Sequence, residues 1–182
     1  MIHTRTFVVS SLLLLSFFTS AVYADGISGQ QAPEWGVDEW VYLPEGQSAP
    51  EVADFKGKVV YVYAFQSWCP GCHKHGFPTL QKMMKQYADD PDVVFVAIQT
   101  TFEGFGSNGP AQALQTAKRY NLDIPVGQSG LPDSSSKFMQ RYDSGGTPWT
   151  VIIGPDGKVK YNDFHITPAE AMELIDDLKS DS

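Results

Sequence analysis

The chain has 182 residues, 42% of them hydrophobic and 19% charged, which is enough for one globular domain and too few for two. With 13% aromatic residues it can bury a core without disulfide staples, so disordered and collagen-like classes are excluded. Lys and Arg number 13 against 21 Asp and Glu, a formal net charge of −8, the wrong sign for a phosphate-backbone surface; no nucleic-acid partner is expected.

In chain order, His3 and Arg5 precede an uncharged stretch from Thr6 to Ala24 with an apolar centre, Phe7 to Phe18, and Val22-Tyr23-Ala24 offers small residues for cleavage. This reads as a signal peptide over residues 1–24 ahead of one acidic domain over 25–182, giving a periplasmic or otherwise exported protein. An uncleaved anchor is the alternative, because the uncharged run approaches the ~20 residues that span a bilayer. Residues 25–39 are expected to be an irregular lead-in that packs on the body through Trp35, with Trp40 just beyond it. Val59 to Phe65 is a β-branched and aromatic run of strand length, expected as a buried central strand. Leu80, Met83, Met84 and Tyr87 recur at helical spacing before Asp89-Asp90-Pro91. Val93 to Ile98 is a second buried strand. Pro110 opens a helix to Tyr120 whose inward face is Ala113, Leu114 and Ala117.

Ile124-Pro125-Val126 is at most a short strand, and Ser134 to Tyr142 a short helix. Strand Val151 to Ile153 is joined to Val159-Lys160-Tyr161 by the turn Gly154-Pro155-Asp156-Gly157. Thr167-Pro168-Ala169-Glu170 is a capping box for a last helix with Met172, Ile175 and Leu178 inward. Strands alternating with helices predict an α/β fold: a mixed sheet with a parallel βαβ core, helices on both faces, and the C-terminal hairpin as an antiparallel edge.

The two cysteines of the chain lie together in Trp68-Cys69-Pro70-Gly71-Cys72, directly after the first central strand. A helix beginning there turns free N–H groups and the positive end of its dipole toward Cys69, favouring a thiolate nucleophile. Cys72, one turn on, is placed to attack a mixed disulfide formed at Cys69. A static disulfide is the alternative, although so short a loop constrains the unfolded chain little.

The segment Asp54 to Val60, continued through Phe65-Gln66-Ser67-Trp68-Cys69-Pro70-Gly71-Cys72, resembles the active-site region of TlpA-like (redoxin) thiol–disulfide oxidoreductases of the thioredoxin superfamily. The likeness continues in Gly146-Thr147-Pro148-Trp149-Thr150-Val151-Ile152-Ile153 and covers roughly residues 32–178. It implies a thioredoxin-like fold, a cis Pro148 facing the cysteines, and Thr147 offering backbone groups to an extended substrate segment. Trp68, Pro70 and Gly71 would support the cysteines. It further implies exchange with protein thiols and disulfides, with no cofactor and no metal, and a reductive direction fed by a membrane electron donor. A monomer is expected.

Two departures from the resemblance stand out. Thioredoxins proper carry a buried Asp six residues before the nucleophile, and that position is Tyr63. The helix proline expected five residues after the second Cys is Pro78, six after, so one residue must be absorbed, with Gly76 as the place for it. With no Asp, Glu103 is the candidate proton acceptor, because its loop follows a strand parallel to Val59–Phe65 and leaves the same carboxyl edge of the sheet. Tyr63, with a phenol near pKa 10, is no base at neutral pH. The plainer reading of Glu103 is a solvated loop residue.

The same stretch also satisfies C-x-x-C-H, the c-type haem attachment pattern, with His73 as one axial ligand and Met83, Met84 or Met139 as the other. A copper-transfer reading uses Cys69 and Cys72 with His73 or His75, and His165 as a distant fourth ligand, without the second paired ligand set usual in zinc sites. For His73 and His75, exposed helical positions are the simpler expectation. A peroxidase would need Thr or Ser three residues before its Cys and Pro seven before, where Gln66 and Val62 stand. Trp68, Trp149 and Phe65 either form an apolar collar around the sulfurs or pack as ordinary core.

Overall fold

The computed structural model describes residues 26–132 and 134–180. The signal segment expected over residues 1–24 lies outside these described residues. One sheet contains β1 (Glu39–Tyr42), β2 (Val59–Phe65), β3 (Val93–Thr100), β4 (Val126–Ser129), β5 (Trp149–Ile153) and β6 (Val159–Phe164), in the spatial order β1-β4-β3-β2-β5-β6. The helices are α1 (Phe77–Gln86), α2 (Pro110–Arg119), α3 (Lys137–Tyr142) and α4 (Pro168–Ser180).

Alternation along β2 organises the core. Val59, Tyr61, Tyr63 and Phe65 face one layer with residues of α1, α2 and α4, among them Phe77, Leu80, Met83, Ala113, Ala117 and Ile175. Val60, Val62 and Ala64 face the other layer with Phe138 and Tyr142 of α3, Trp149, and Trp35 of the lead-in. Both faces are covered, which is why β2 reads as an unbroken apolar run and not as alternating apolar and polar residues. β2, β3 and β4 are mutually parallel, while β5 runs antiparallel to β2 and β6 antiparallel to β5. The thioredoxin-like α/β architecture is therefore present, hairpin included.

The lead-in is irregular through Asp38 and packs through the buried Trp35, and two element readings need correction. Beyond the lead-in the chain enters a strand that the sequence reading did not include, β1, which pairs antiparallel with β4 through Glu39↔Gln128 and forms a second antiparallel edge. Its run Trp40-Val41-Tyr42-Leu43 is short and bounded by Pro44, so by itself it is not distinguished from a packed loop. β4 lies later than the Ile124–Val126 expectation and consists of Val-Gly-Gln-Ser, all buried. Its polar side chains are satisfied by contacts distant in sequence. α3 is shorter than expected, starting after Ser136, whose hydroxyl accepts the Met139 N–H. The capping box of α4 is present in both directions, Thr167 N–H to Glu170 and Glu170 N–H to the Thr167 hydroxyl.

Candidate active site

The helix that carries the cysteines opens at Pro70, because Pro needs no N–H partner at a first helical position. Cys69 is its cap. Its N–H donates to the Gln66 carbonyl at 3.1 Å, and its own carbonyl accepts the His73 N–H at 3.2 Å. The Cys72 N–H donates to the Cys69 Sγ at 3.2 Å, so an amide of the first turn points at the sulfur. Both cysteines are free thiols. Cys69 is 7% exposed and Cys72 wholly buried, so Cys69 is the more accessible of the two sulfurs.

Burial, followed by the hydrogen bond with Cys69, pushes the Cys72 thiol up to about 12. At neutral pH Cys72 is therefore a thiol. Tyr63 lies beneath it, with its hydroxyl donating to the Cys72 carbonyl at 3.4 Å. Burial first, and the nearby Cys72 sulfur second, hold the Tyr63 phenol well above its ordinary value. Tyr63 is consequently a space-filling ring, stacked on Phe65 and edge-on to Phe77, and no proton acceptor at neutral pH.

Pairing of β2 with β5 places the loop before Trp149 beside the end of β2. The Thr147–Pro148 peptide is cis. The Cys69 thiol points to the Thr147 carbonyl at 3.7 Å. Gly71 explains itself here: a Cβ would stand 3.3 Å from the Pro148 ring and 3.9 Å from the Cys69 sulfur. Cys69, Gly71, Cys72, Thr147 and Pro148 thus share one site. Pro70 is exposed beside them.

Between Cys72 and α1, residues Cys72–Gly76 form a π-helical turn. A π turn is how a helix accepts one extra residue, and the widened turn also lets Pro78 follow without a break. This absorbs the displaced proline.

The two tryptophans divide. Trp68 is 46% exposed and its indole N–H donates to Gln66 Oε1 at 3.0 Å, leaving a ring face beside Cys69 open to a partner. Trp149 is buried, its indole N–H held by Asn162 at 2.6 Å, and Phe65 is core. The collar reading fails for both of these because each fills the sheet interior.

Glu103 stands on an exposed loop, and the contact that structure gives it is through its backbone: its carbonyl accepts from Asn108 Nδ2 at 3.1 Å. The same amide donates to Gln66 Oε1 at 2.9 Å, and Asn108 Oδ1 accepts the Trp68 N–H at 3.4 Å. The Glu103 loop is thereby fastened to the active-site loop, while its carboxylate stays in solvent.

Sequence reasoning missed the buried polar layer to which Asn108 belongs. Gln99 donates to the Asn108 carbonyl at 2.7 Å and to Gln128 at 2.7 Å, and accepts the Ser67 N–H at 3.0 Å. Gln128 donates to Thr101 at 2.8 Å and to the Gly130 carbonyl at 2.6 Å. Gln66, Gln99 and Gln128 each sit at the carboxyl end of one of the three parallel strands. That repetition was the available signal, since a buried amide requires partners.

His73 is not an exposed helical residue. Its Nε2 meets the Ser67 carbonyl at 2.6 Å and its Nδ1 the Tyr120 hydroxyl at 2.7 Å. A carbonyl only accepts, so Nε2 carries a proton, and Nδ1 pairs with the Tyr120 hydroxyl. Stacking on Tyr120 completes the clamp. A haem iron needs a free ring nitrogen that both partners occupy here, and Met83 is sealed in the core; these residues do not fit a haem. His165 packs beside the exposed His75, ring centroids 5.8 Å apart. Among the described residues no three His, Cys, Asp or Glu side chains are placed to share a metal ion.

Comparison with known proteins agrees with this geometry. The chain is 25% identical over 150 residues to the thiol-disulfide oxidoreductase ResA of Bacillus subtilis (strain 168), covering 81% of this chain and 77% of that protein. Among solved structures, it matches the thioredoxin-like superfamily protein SPOA0173 with a TM-score of 0.75 and 27% identity, covering 84% of this chain and 97% of that one. A thiol-disulfide isomerase from Corynebacterium glutamicum matches with a TM-score of 0.73 and 26% identity, over 83% and 98% of the two chains. The redoxin family model matches residues 28–176, nearly the whole described domain, and to the redoxin family, on a thioredoxin-like fold, this chain belongs.

Proposed function

We propose that the protein is an exported thiol–disulfide reductase that acts on protein disulfides through Cys69 and Cys72. The observation that carries this reading is the asymmetry of the pair: Cys69 at the helix start receives the Cys72 N–H, while Cys72 is wholly buried and protonated at neutral pH. The Cys69 thiolate attacks one sulfur of a partner disulfide, and the other sulfur leaves as a thiolate. Cys72 then loses its proton and attacks Cys69 Sγ, which releases the partner's second thiolate and leaves a Cys69–Cys72 disulfide. The partner gains two electrons, and the pair is returned to the dithiol by a membrane dithiol donor.

The apolar stretch of residues 7–18 and the Ala24 cleavage pattern support export. Thr147, half-buried beside Cys69, offers backbone groups to an extended partner segment. The deciding experiment is the equilibrium reduction potential of the Cys69–Cys72 pair. A value near about −270 mV supports a reductase, and one near about −120 mV makes the protein an oxidant.

A further inference from the structure

We propose that the groove beside Trp68 receives an acidic stretch of the partner polypeptide, close in sequence to the cysteine that Cys69 attacks. This inference rests on the exchange reaction proposed above and names the partner class for that site. The groove encloses about 770 Å³ and is lined by residues that include Trp68, Ser107, Gln112, Gln115, Lys118 and Arg119. It begins next to the nucleophile, since Trp68 precedes Cys69.

The charge of the groove opposes that of the chain. The protein carries a formal −8, yet no lining residue is acidic and two consecutive cations, Lys118 and Arg119, stand exposed along it, in the turn of α2 whose Thr116 hydroxyl donates to Ser67 at 2.9 Å. Neither forms an ion pair with a carboxylate among the described residues; Arg119 lies over the Tyr120 ring at 5.6 Å. Glu103, on the adjoining loop, does not line the groove. Gln112 and Gln115 add amide groups along the same wall, and the exposed Trp68 supplies an apolar plate.

The dimensions set the spacing of the ligand. From Gln112 to Arg119 α2 rises about 10 Å, the reach of roughly three extended residues. A partner segment lying along this groove therefore brings residues up to about four from its reactive cysteine within reach of Lys118 and Arg119. Cations in the last turn of α2 also complement its dipole, and the experiment separates that role from recognition.

The test uses two nine-residue peptides, each with a central cysteine held as a mixed disulfide with neutral thiopyridine. One peptide carries Glu three and four residues from the cysteine on both sides, and the other Lys. Release of thiopyridone by the reduced protein is followed by stopped flow at low ionic strength. The Glu peptide is expected to react about tenfold faster than the Lys peptide, against the repulsion of the net charge, with the ratio shrinking as salt is added. In Lys118→Gln/Arg119→Gln the ratio should drop below twofold or invert.

A faster Lys peptide with the parent protein overturns the proposal, as does a preference for Glu that survives in the double variant. Neutral bis(2-hydroxyethyl) disulfide provides the separate control. If the reduced parent fails to exchange with it, the exchange reading itself falls; if it exchanges normally while the peptides show no charge preference, only the acidic-partner inference does.

Discussion

The Tyr63 hydroxyl occupies the space that a side chain at position 76 would need: a Cβ built on Gly76 would lie 1.9 Å from Tyr63 Oη and 2.5 Å from its ring carbon. The two departures from the thioredoxin pattern are thus one feature. A tyrosine replaces the buried Asp, and the helix above it passes with a glycine on a π turn. Gly76 adopts ordinary right-handed helical angles, so close approach and not backbone strain demands the glycine.

Gly76→Ala is therefore expected to destabilise the protein by about 1–3 kcal/mol, the usual cost of overpacking. Tyr63→Ala alone should cost about 3–5 kcal/mol through its cavity. The double variant should lose less than the sum, because each change relieves the other. Urea unfolding of all four proteins measures the coupling, and additive losses would separate the two residues.

Cys72→Ser is expected to accumulate mixed disulfides through Cys69, since the nucleophile remains and the resolving thiol is gone. Cys69→Ser should accumulate far fewer, because Cys72 is wholly buried. Non-reducing electrophoresis after exposure to a disulfide-bearing protein distinguishes them. Equal capture by both variants would contradict the assigned roles.

Burial raises the Cys72 thiol from about 9 to about 12. The folded state therefore holds a proton that the unfolded chain loses first. The stabilising effect is complete below about pH 9 and is lost as pH rises toward 12. The reduced protein should lose stability over that interval relative to Cys72→Ala, by at most about 1.4 kcal/mol per pH unit. Denaturation under a phosphine reductant at several pH values checks this. Parallel curves for the two proteins would place the Cys72 ionisation elsewhere.

Resolution needs an acceptor for the Cys72 proton, and Tyr63 is unavailable. Because the Glu103 carboxylate stays in solvent, Glu103→Gln should leave both release of the mixed disulfide and alkylation of Cys69 nearly unchanged at neutral pH. Stopped-flow rates within twofold of the parent for both steps would send the proton to water.

Much of the chain was legible because its signals are local. The Val59–Phe65 run, the Leu80-Met83-Met84 stripe, the Thr167–Glu170 box and the Gly154–Gly157 turn each act within a few residues, and the adjacency of Cys69 and Cys72 announced the chemistry directly. Other features arise from contacts that no local pattern carries. β1 exists because β4 offers it an unpaired edge. Gln128 carries no local signal; Gln99 and Asn108, brought to it by the parallel crossover, satisfy its amide.

The sequence by itself determined the class of fold and the adjacent cysteine pair, since periodicity and residue adjacency are properties of neighbouring residues. Only the tertiary structure decided that His73 is clamped between Ser67 and Tyr120, that Trp68 is open while Trp149 is sealed, and that Tyr63 and Gly76 fit each other. Each of these depends on distances across elements far apart in the chain, and those distances are set by how the helices seat on the sheet.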